Sequence, residues 1–75
     1  MEFEALKEAI TRVLQVYVSE IGEDSTFAGD LGADSIDIVQ IFKIVEDTLD
    51  ISIEDVDIDS VITVDDALQI ILNCK

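Results

Sequence analysis

Apolar residues recur at steps of three and four from the start of the chain: Phe3, Leu6, Ile10, Val13, Leu14 and Tyr17. This spacing gathers them on one face and predicts an amphipathic helix that runs to about Val18. The period then stops. From about Ser19 to Asp34 the chain is punctuated by Gly22, Gly29 and Gly32, with Phe27 and Leu31 as apolar anchors to hold a long connection on the core. The helical period resumes near Ser35, where Ile38, Ile41, Phe42, Val45 and Leu49 form a second apolar stripe. The opposite face carries Ile36, Gln40, Lys43 and Asp47, so Ile36 is an apolar residue in a polar setting.

Two further helix starts are marked by capping-box spacing. Ser52 and Asp55 precede a short third helix, and Thr63 and Asp66 precede a fourth, whose stripe is Val64, Ala67, Leu68 and Ile71. The segment "ISI" has strand-like composition, but the helical period over longer windows outweighs it. The expected fold is all-α: a small four-helix bundle over residues 1–75, one domain, with a long loop between helices 1 and 2 and a short third helix.

Charge changes this picture more than composition does. The chain has 75 residues, 49% of them hydrophobic, which suits a folded domain rather than an extended acidic tail. Eighteen acids face only Lys7, Arg12, Lys43 and Lys75, for a net charge of −14. Such a field repels nucleic acids and anionic membranes and attracts basic protein surfaces and divalent cations. From Glu20 to Asp66 there are fifteen acids and one base, Lys43. With no histidine and a single cysteine, Cys74, neither an intrachain disulfide nor a catalytic zinc site is expected. Cys74 reads as an ordinary terminal residue. The opening "MEFEALKEAI" is acidic and amphipathic, unlike a signal peptide or membrane span, so the expected location is cytoplasmic.

Catalysis has few candidates. There is no His base, no Cys–His or Ser–His pair and no phosphate-cradling glycine loop with a lysine. The chain is therefore not expected to be an enzyme. Ser35 stands where the glycine-broken loop meets the second helix. By position it is a helix N-cap or a point of attachment, and Asp34 is equally able to cap.

The segment "DLGADSID" resembles the attachment motif of acyl carrier proteins. The likeness extends over nearly the whole chain: an amphipathic first helix, a loop with "DSTF", an acidic second helix and the tail "ITVDDALQII". It implies that Ser35 receives 4′-phosphopantetheine from coenzyme A, with Asp34 as the preceding aspartate. It also implies a recognition face of Ile36, Asp37, Gln40, Lys43, Glu46 and Asp47, with Asp50 extending the acidic end of the helix. The implied partners are a phosphopantetheinyl transferase and acyl-transferring or acyl-modifying enzymes with basic surfaces, met by a monomer. The implied role is to hold acyl intermediates as thioesters on the arm, for fatty acid, lipid or polyketide-type biosynthesis. Ser35 has no base of its own in the motif, so the transferase and Mg²⁺ must supply activation.

Departures from the common pattern point to a specialised member. Ile36 replaces leucine, Gln40 replaces glutamate, Lys43 stands where an apolar residue is usual, and Glu54 replaces a proline. Phe27, Ile53, Ile58, Ile62 and Ile71 fit either an ordinary core or the lining of an acyl pocket.

A different class is represented by "DVDIDSVITVDD", Asp55–Asp66, which scans as a calcium loop of the EF-hand type. Asp55, Asp57 and Asp59 occupy ligand positions, Ile62 the apolar position and Asp66 the last. Ser60 stands where the sharp turn needs glycine, Asp66 is shorter than the usual bidentate glutamate, and no second loop pairs with it. An acidic module that mimics a polyanion would have no use for Ser35. No specific metal site is expected, only weak divalent contacts at Asp34, Asp37, Glu46, Asp50 and Asp55. Mutual repulsion among the acids should still be relieved by divalent ions. Millimolar Mg²⁺ or Ca²⁺ is expected to raise the melting temperature more than monovalent salt of matched ionic strength. Equal effects of the two salts in a thermal melt would remove this expectation.

Overall fold

Helices form where the apolar period is longest. A computed structural model of the chain describes residues 2–53 and 56–74. It contains α1 (Glu2–Leu14), α2 (Ser35–Leu49) and α3 (Val64–Asn73), with single 3-10 turns at Val18–Glu20 and Ile58–Ser60. No strand is present among the described residues; an isolated antiparallel bridge pairs Thr26 with Thr63.

The three stripes meet in one core. Leu6, Ala9 and Ile10 of α1 pack with Ile38, Ile41, Phe42 and Val45 of α2 and with Val64, Ala67, Leu68 and Ile71 of α3. The connections contribute Ile21, Phe27, Ala33 and Val61, and Phe3, Val13, Leu14, Leu31 and Leu49 close the edges. Helix α1 lies mainly against α2 and less extensively against α3. Ala5 and Ala9, absent from the sequence stripe, are also buried, and Ala9 packs within the core cluster.

The first helix is shorter than its apolar spacing predicts. Gln15 adopts a left-handed backbone (φ 57°) while its N–H still bonds to Thr11 O, which ends the helix at Leu14. Tyr17 therefore does not join the apolar face and is 77% exposed. Val16 turns inward in its place and packs on the core. The step from Leu14 to Tyr17 matched the helical period by coincidence.

The short helix expected after Ser52 depends on a capping pair that includes Asp55, which lies outside the described residues. Residues 52–53 and 56–57 carry no helix, and the 3-10 turn at Ile58–Ser60 follows, where the Asp57 carboxylate accepts the Asp59 N–H. The last helix starts as its sequence predicts. Thr63 Oγ1 accepts the Asp66 N–H, and Asp66 Oδ2 accepts the N–H groups of both Thr63 and Ile62.

These backbone donors, chiefly that of Thr63 and then that of Ile62, hold the Asp66 carboxyl below its ordinary value of 3.8. A depressed native pKa stabilises the fold above the unfolded value, and the contribution fades as pH falls through the native one. Asp66→Ala is expected to cost about 1–2 kcal/mol at neutral pH, the usual range for a lost cap. Urea denaturation should show the gap between variant and parent closing below pH ~4. A gap that persists unchanged to pH ~2 would assign the loss to packing instead.

Candidate functional site

The loop before α2 is fixed at both ends by backbone hydrogen bonds. Phe27 N–H donates to Ile62 O at 2.9 Å, and Ala33 N–H donates to Phe27 O at 2.7 Å. Between them the chain makes a tight turn. Thr26 N–H donates to Asp30 Oδ2, and Asp30 N–H donates to Thr26 Oγ1. Gly29 closes this turn against Thr26: a Cβ there would lie 2.7 Å from Thr26 Oγ1, which no ordinary contact allows. Phe27 is 1% exposed and Leu31 is half-buried, so both loop anchors read from the sequence face the core.

This turn delivers Asp34 to the N-cap of α2. Asp34 Oδ1 accepts the Asp37 N–H at 3.0 Å, and Asp37 Oδ2 accepts the Asp34 N–H at 3.3 Å. A complete capping box is thus built from two aspartates. Ser35 follows as the first helical residue and is exposed. Its hydroxyl makes no hydrogen bond with the described residues, because Asp34 has taken the cap. The choice that the sequence left open between capping and a free hydroxyl is decided for the free hydroxyl.

Beside Ser35 opens a cleft of about 500 Å³. Phe27, Ala33, Ile38, Ile58, Val61 and Ile62 give it apolar walls, with Asp34, Ser35, Thr26 and Asp59 also on the lining. Among the residues that fit either core or pocket, Phe27, Ile58 and Ile62 line this cleft. Ile53 lines a second, smaller groove, whereas Ile71 is fully buried in the core. Ala33 was not singled out by sequence, and Asp59 only as a position of the calcium-loop scan; Ala33 is brought to the cleft by its bond to Phe27 O and Asp59 by the 3-10 turn at Ile58–Ser60, neither of which leaves a periodic signal.

On the outer face of α2, Ile36 (66% exposed), Gln40, Lys43 and Asp47 are all open to solvent. Val39 adds a partly open apolar surface that the sequence stripe did not include. Asp37 and Glu46 are half-buried, with one oxygen each committed internally: Asp37 in the cap, and Glu46 Oε2 to the Ile53 N–H at 2.8 Å. Asp50 occupies the left-handed C-cap (φ 54°) of α2. Among the described residues no group of three or more acids or cysteines is placed to hold a metal. Asp34, Asp37, Glu46 and Asp50 are not gathered into one site, and Asp55 lies outside the described residues. The calcium-loop reading gains nothing from this geometry. Asp57 caps its own turn, and Asp66, the last ligand of that scheme, is bound to the backbone of Ile62 and Thr63.

The geometry of Ser35 fits an attached phosphate-bearing arm. The hydroxyl is accessible, it stands at the positive end of a helix of 15 residues, and an apolar cleft adjoins it. The chain as a whole is similar to known sequences over nearly its full length. A family model described as the phosphopantetheine attachment site matches residues 4–71. The chain is similar to an acyl carrier protein of Sulfurovum sp. (strain NBC37-1), with 41% identity over 71 residues, 95% of either chain. It is also similar to an acyl carrier protein of Clostridium perfringens (strain SM101 / Type A), 44% identical over 69 residues, covering 92% of this chain and 91% of the relative. An acyl carrier protein of Wolinella succinogenes is 36% identical over 69 residues, with the same two coverages.

Two carboxylates in one capping box predict an unequal response to substitution. Asp34→Ala is expected to lower stability by about 1 kcal/mol, whereas Asp34→Asn, which keeps an acceptor, should stay within a few tenths. Urea denaturation measures both, and amide exchange at Asp37 should accelerate only in the alanine variant. Equal losses in the two variants would mean that charge rather than the cap hydrogen bond holds the helix start.

Proposed function

The chain belongs to the acyl carrier protein family, and on that premise we propose that Ser35 is its attachment point for 4′-phosphopantetheine. Acyl carrier proteins are carriers and not enzymes, and their phosphopantetheine domain holds this group covalently. When bound, the group supplies a thiol at the end of a flexible arm, on which an acyl chain is held as a thioester. The observation that carries the assignment is the free, exposed hydroxyl of Ser35 next to a complete Asp34–Asp37 capping box.

The chain's own residues support attachment without performing it. Asp34 is the only carboxylate adjacent to Ser35 on its loop side, and its Oδ1 is committed to the Asp37 N–H. It orients the helix start and is poorly placed to act as a base. A transferase must therefore remove the Ser35 proton and, with Mg²⁺, neutralise the pyrophosphate of coenzyme A. The first-turn N–H groups of α2 offer partial positive charge to the phosphodiester that results, worth about 0.3–1 kcal/mol. Asp34 and Asp37 work against that gain, so the net effect at the helix end is small.

The outer face of α2 suits brief encounters with basic partners. Ile36 offers an apolar contact one residue from the arm, while Asp47 and the remaining open oxygens of Asp37 and Glu46 supply negative field. Gln40 and Lys43 weaken the field midway along the helix, which favours a specialised set of acyl-handling enzymes over the general one. The cytoplasm and a monomeric state are part of the same reading. Its physical benefit is tethering, which keeps the acyl group at millimolar effective concentration for each docked enzyme.

The direct test is intact mass after incubation with coenzyme A, Mg²⁺ and a broad-specificity phosphopantetheinyl transferase. The parent is expected to gain one phosphopantetheine and Ser35→Ala none. A folded parent that gains nothing, or an alanine variant that still gains the group, overturns the assignment.

A further inference from the structure

Lys43 is the single base between Glu20 and Asp66, and it lines a groove of about 280 Å³ between α2 and the segment that follows it. Among the described residues the other walls of this groove are Val39, Phe42, Ile53, Val56 and Ile58, with Glu46 as the remaining polar one. No described carboxylate lies within ion-pair distance of the Lys43 ammonium. Glu46 is the nearest acid in sequence on the groove, and its Oε2 is held by the Ile53 N–H at 2.8 Å. An apolar trough with a cation on its lining matches a ligand that is apolar along its length and anionic at its far end.

Two features connect this groove with Ser35. Ile58 lines both the cleft beside Ser35 and the groove beside Lys43, so the two spaces adjoin along α2. Ser35 and Lys43 are eight residues apart on the same helix, a rise of about 12 Å. A phosphopantetheine arm consists of a phosphate and three units, each about as long as an extended residue, ~3.5 Å. The length of such an arm is comparable to that rise, which brings the Lys43 groove within reach of an acyl chain on its thiol. Resting on the attachment reading above, we propose that Lys43 is a specificity residue that holds tethered acyl groups ending in a carboxylate.

Electrostatics limits the proposal to a tethered ligand. A net charge of −14 repels a free dicarboxylate, and Glu46 adds to that repulsion locally. Attachment to Ser35 removes the cost of bringing the anion in from solution, so one partly exposed ion pair becomes sufficient. Free adipate should accordingly leave the spectrum of the protein unchanged.

The experiment loads the full chain from adipoyl- or hexanoyl-coenzyme A with a broad-specificity transferase, and intact mass verifies the loading. The rate of thioester cleavage by hydroxylamine then reports how well each chain is sheltered. On the parent the adipoyl thioester is expected to be cleaved about two- to fivefold more slowly than on Lys43→Gln, the range of one partly exposed ion pair. Hexanoyl rates should be the same on both, Lys43→Arg should restore protection, and high salt should abolish it. Amide shifts of Ile53 and Val56 should respond to the adipoyl group only when residue 43 is a base. Equal adipoyl rates on a fully loaded parent and Lys43→Gln would overturn this proposal and leave the attachment site standing. A parent that gains no mass overturns the attachment site and this proposal with it.

Discussion

Phe27 is the joint on which loop, cleft and serine all depend. Its ring is buried in the core, its N–H donates to Ile62 O, and its carbonyl accepts the Ala33 N–H. One residue thus fastens the connection to the chain before α3 on one side and to the approach of α2 on the other. The Thr26–Thr63 bridge and the bond from Val64 N–H to Ser25 O extend the same seam. Truncating a buried phenylalanine costs about 3–5 kcal/mol. A core this small supplies about that much net stability in total. The position of Ser35 therefore depends on a residue eight places earlier as well as on the Asp34–Asp37 cap beside it.

At the start of α2 two tasks are separated between neighbours. A helix of this length needs its first N–H groups satisfied, and a modifiable serine needs its hydroxyl free. Had Ser35 been the cap, its oxygen would have been engaged with the backbone and turned from solvent. Asp34 and Asp37 satisfy the helix between them, which leaves Ser35 as an unburdened side chain at the rim of the cleft. Helix stability and site accessibility follow from a one-residue offset.

Much of this was legible in the sequence because it is local. The stripes Ile38–Ile41–Phe42–Val45 and Val64–Ala67–Leu68–Ile71 gave two helices with their buried faces, and the Thr63–Asp66 spacing located the second of their starts. The end of α1 was not legible, since Tyr17 continued the period after the backbone had turned at Gln15. The Ser35 motif was visible as residue types, but the cleft beside it joins residues from positions 26 to 62 and has no period. The bond from Ile53 N–H to Glu46 crosses the end of α2, and no spacing rule anticipates it.

The acids are the clearest case of a pattern that sequence reads only in part. As a composition they are a solvated negative surface, yet Asp30, Asp34, Asp37, Glu46, Asp57 and Asp66 each accept a backbone N–H. The chain has no proline and only three glycines, so its turns are not fixed mainly by restricted backbone residues. Carboxylates fix them instead, by offering acceptors to loop N–H groups that would otherwise need water. The same charges that repel one another across a small bundle also close its loops, and their free oxygens face outward as the field that a basic partner meets. A change that removed these acceptor oxygens to relieve repulsion, as alanine would, releases the turns at Asp30, Asp34 and Asp66 that hold Ser35 and the cleft in place. Structural and recognition roles are carried here by one set of side chains, and this ties the fold's tolerance of a −14 charge to the site it presents.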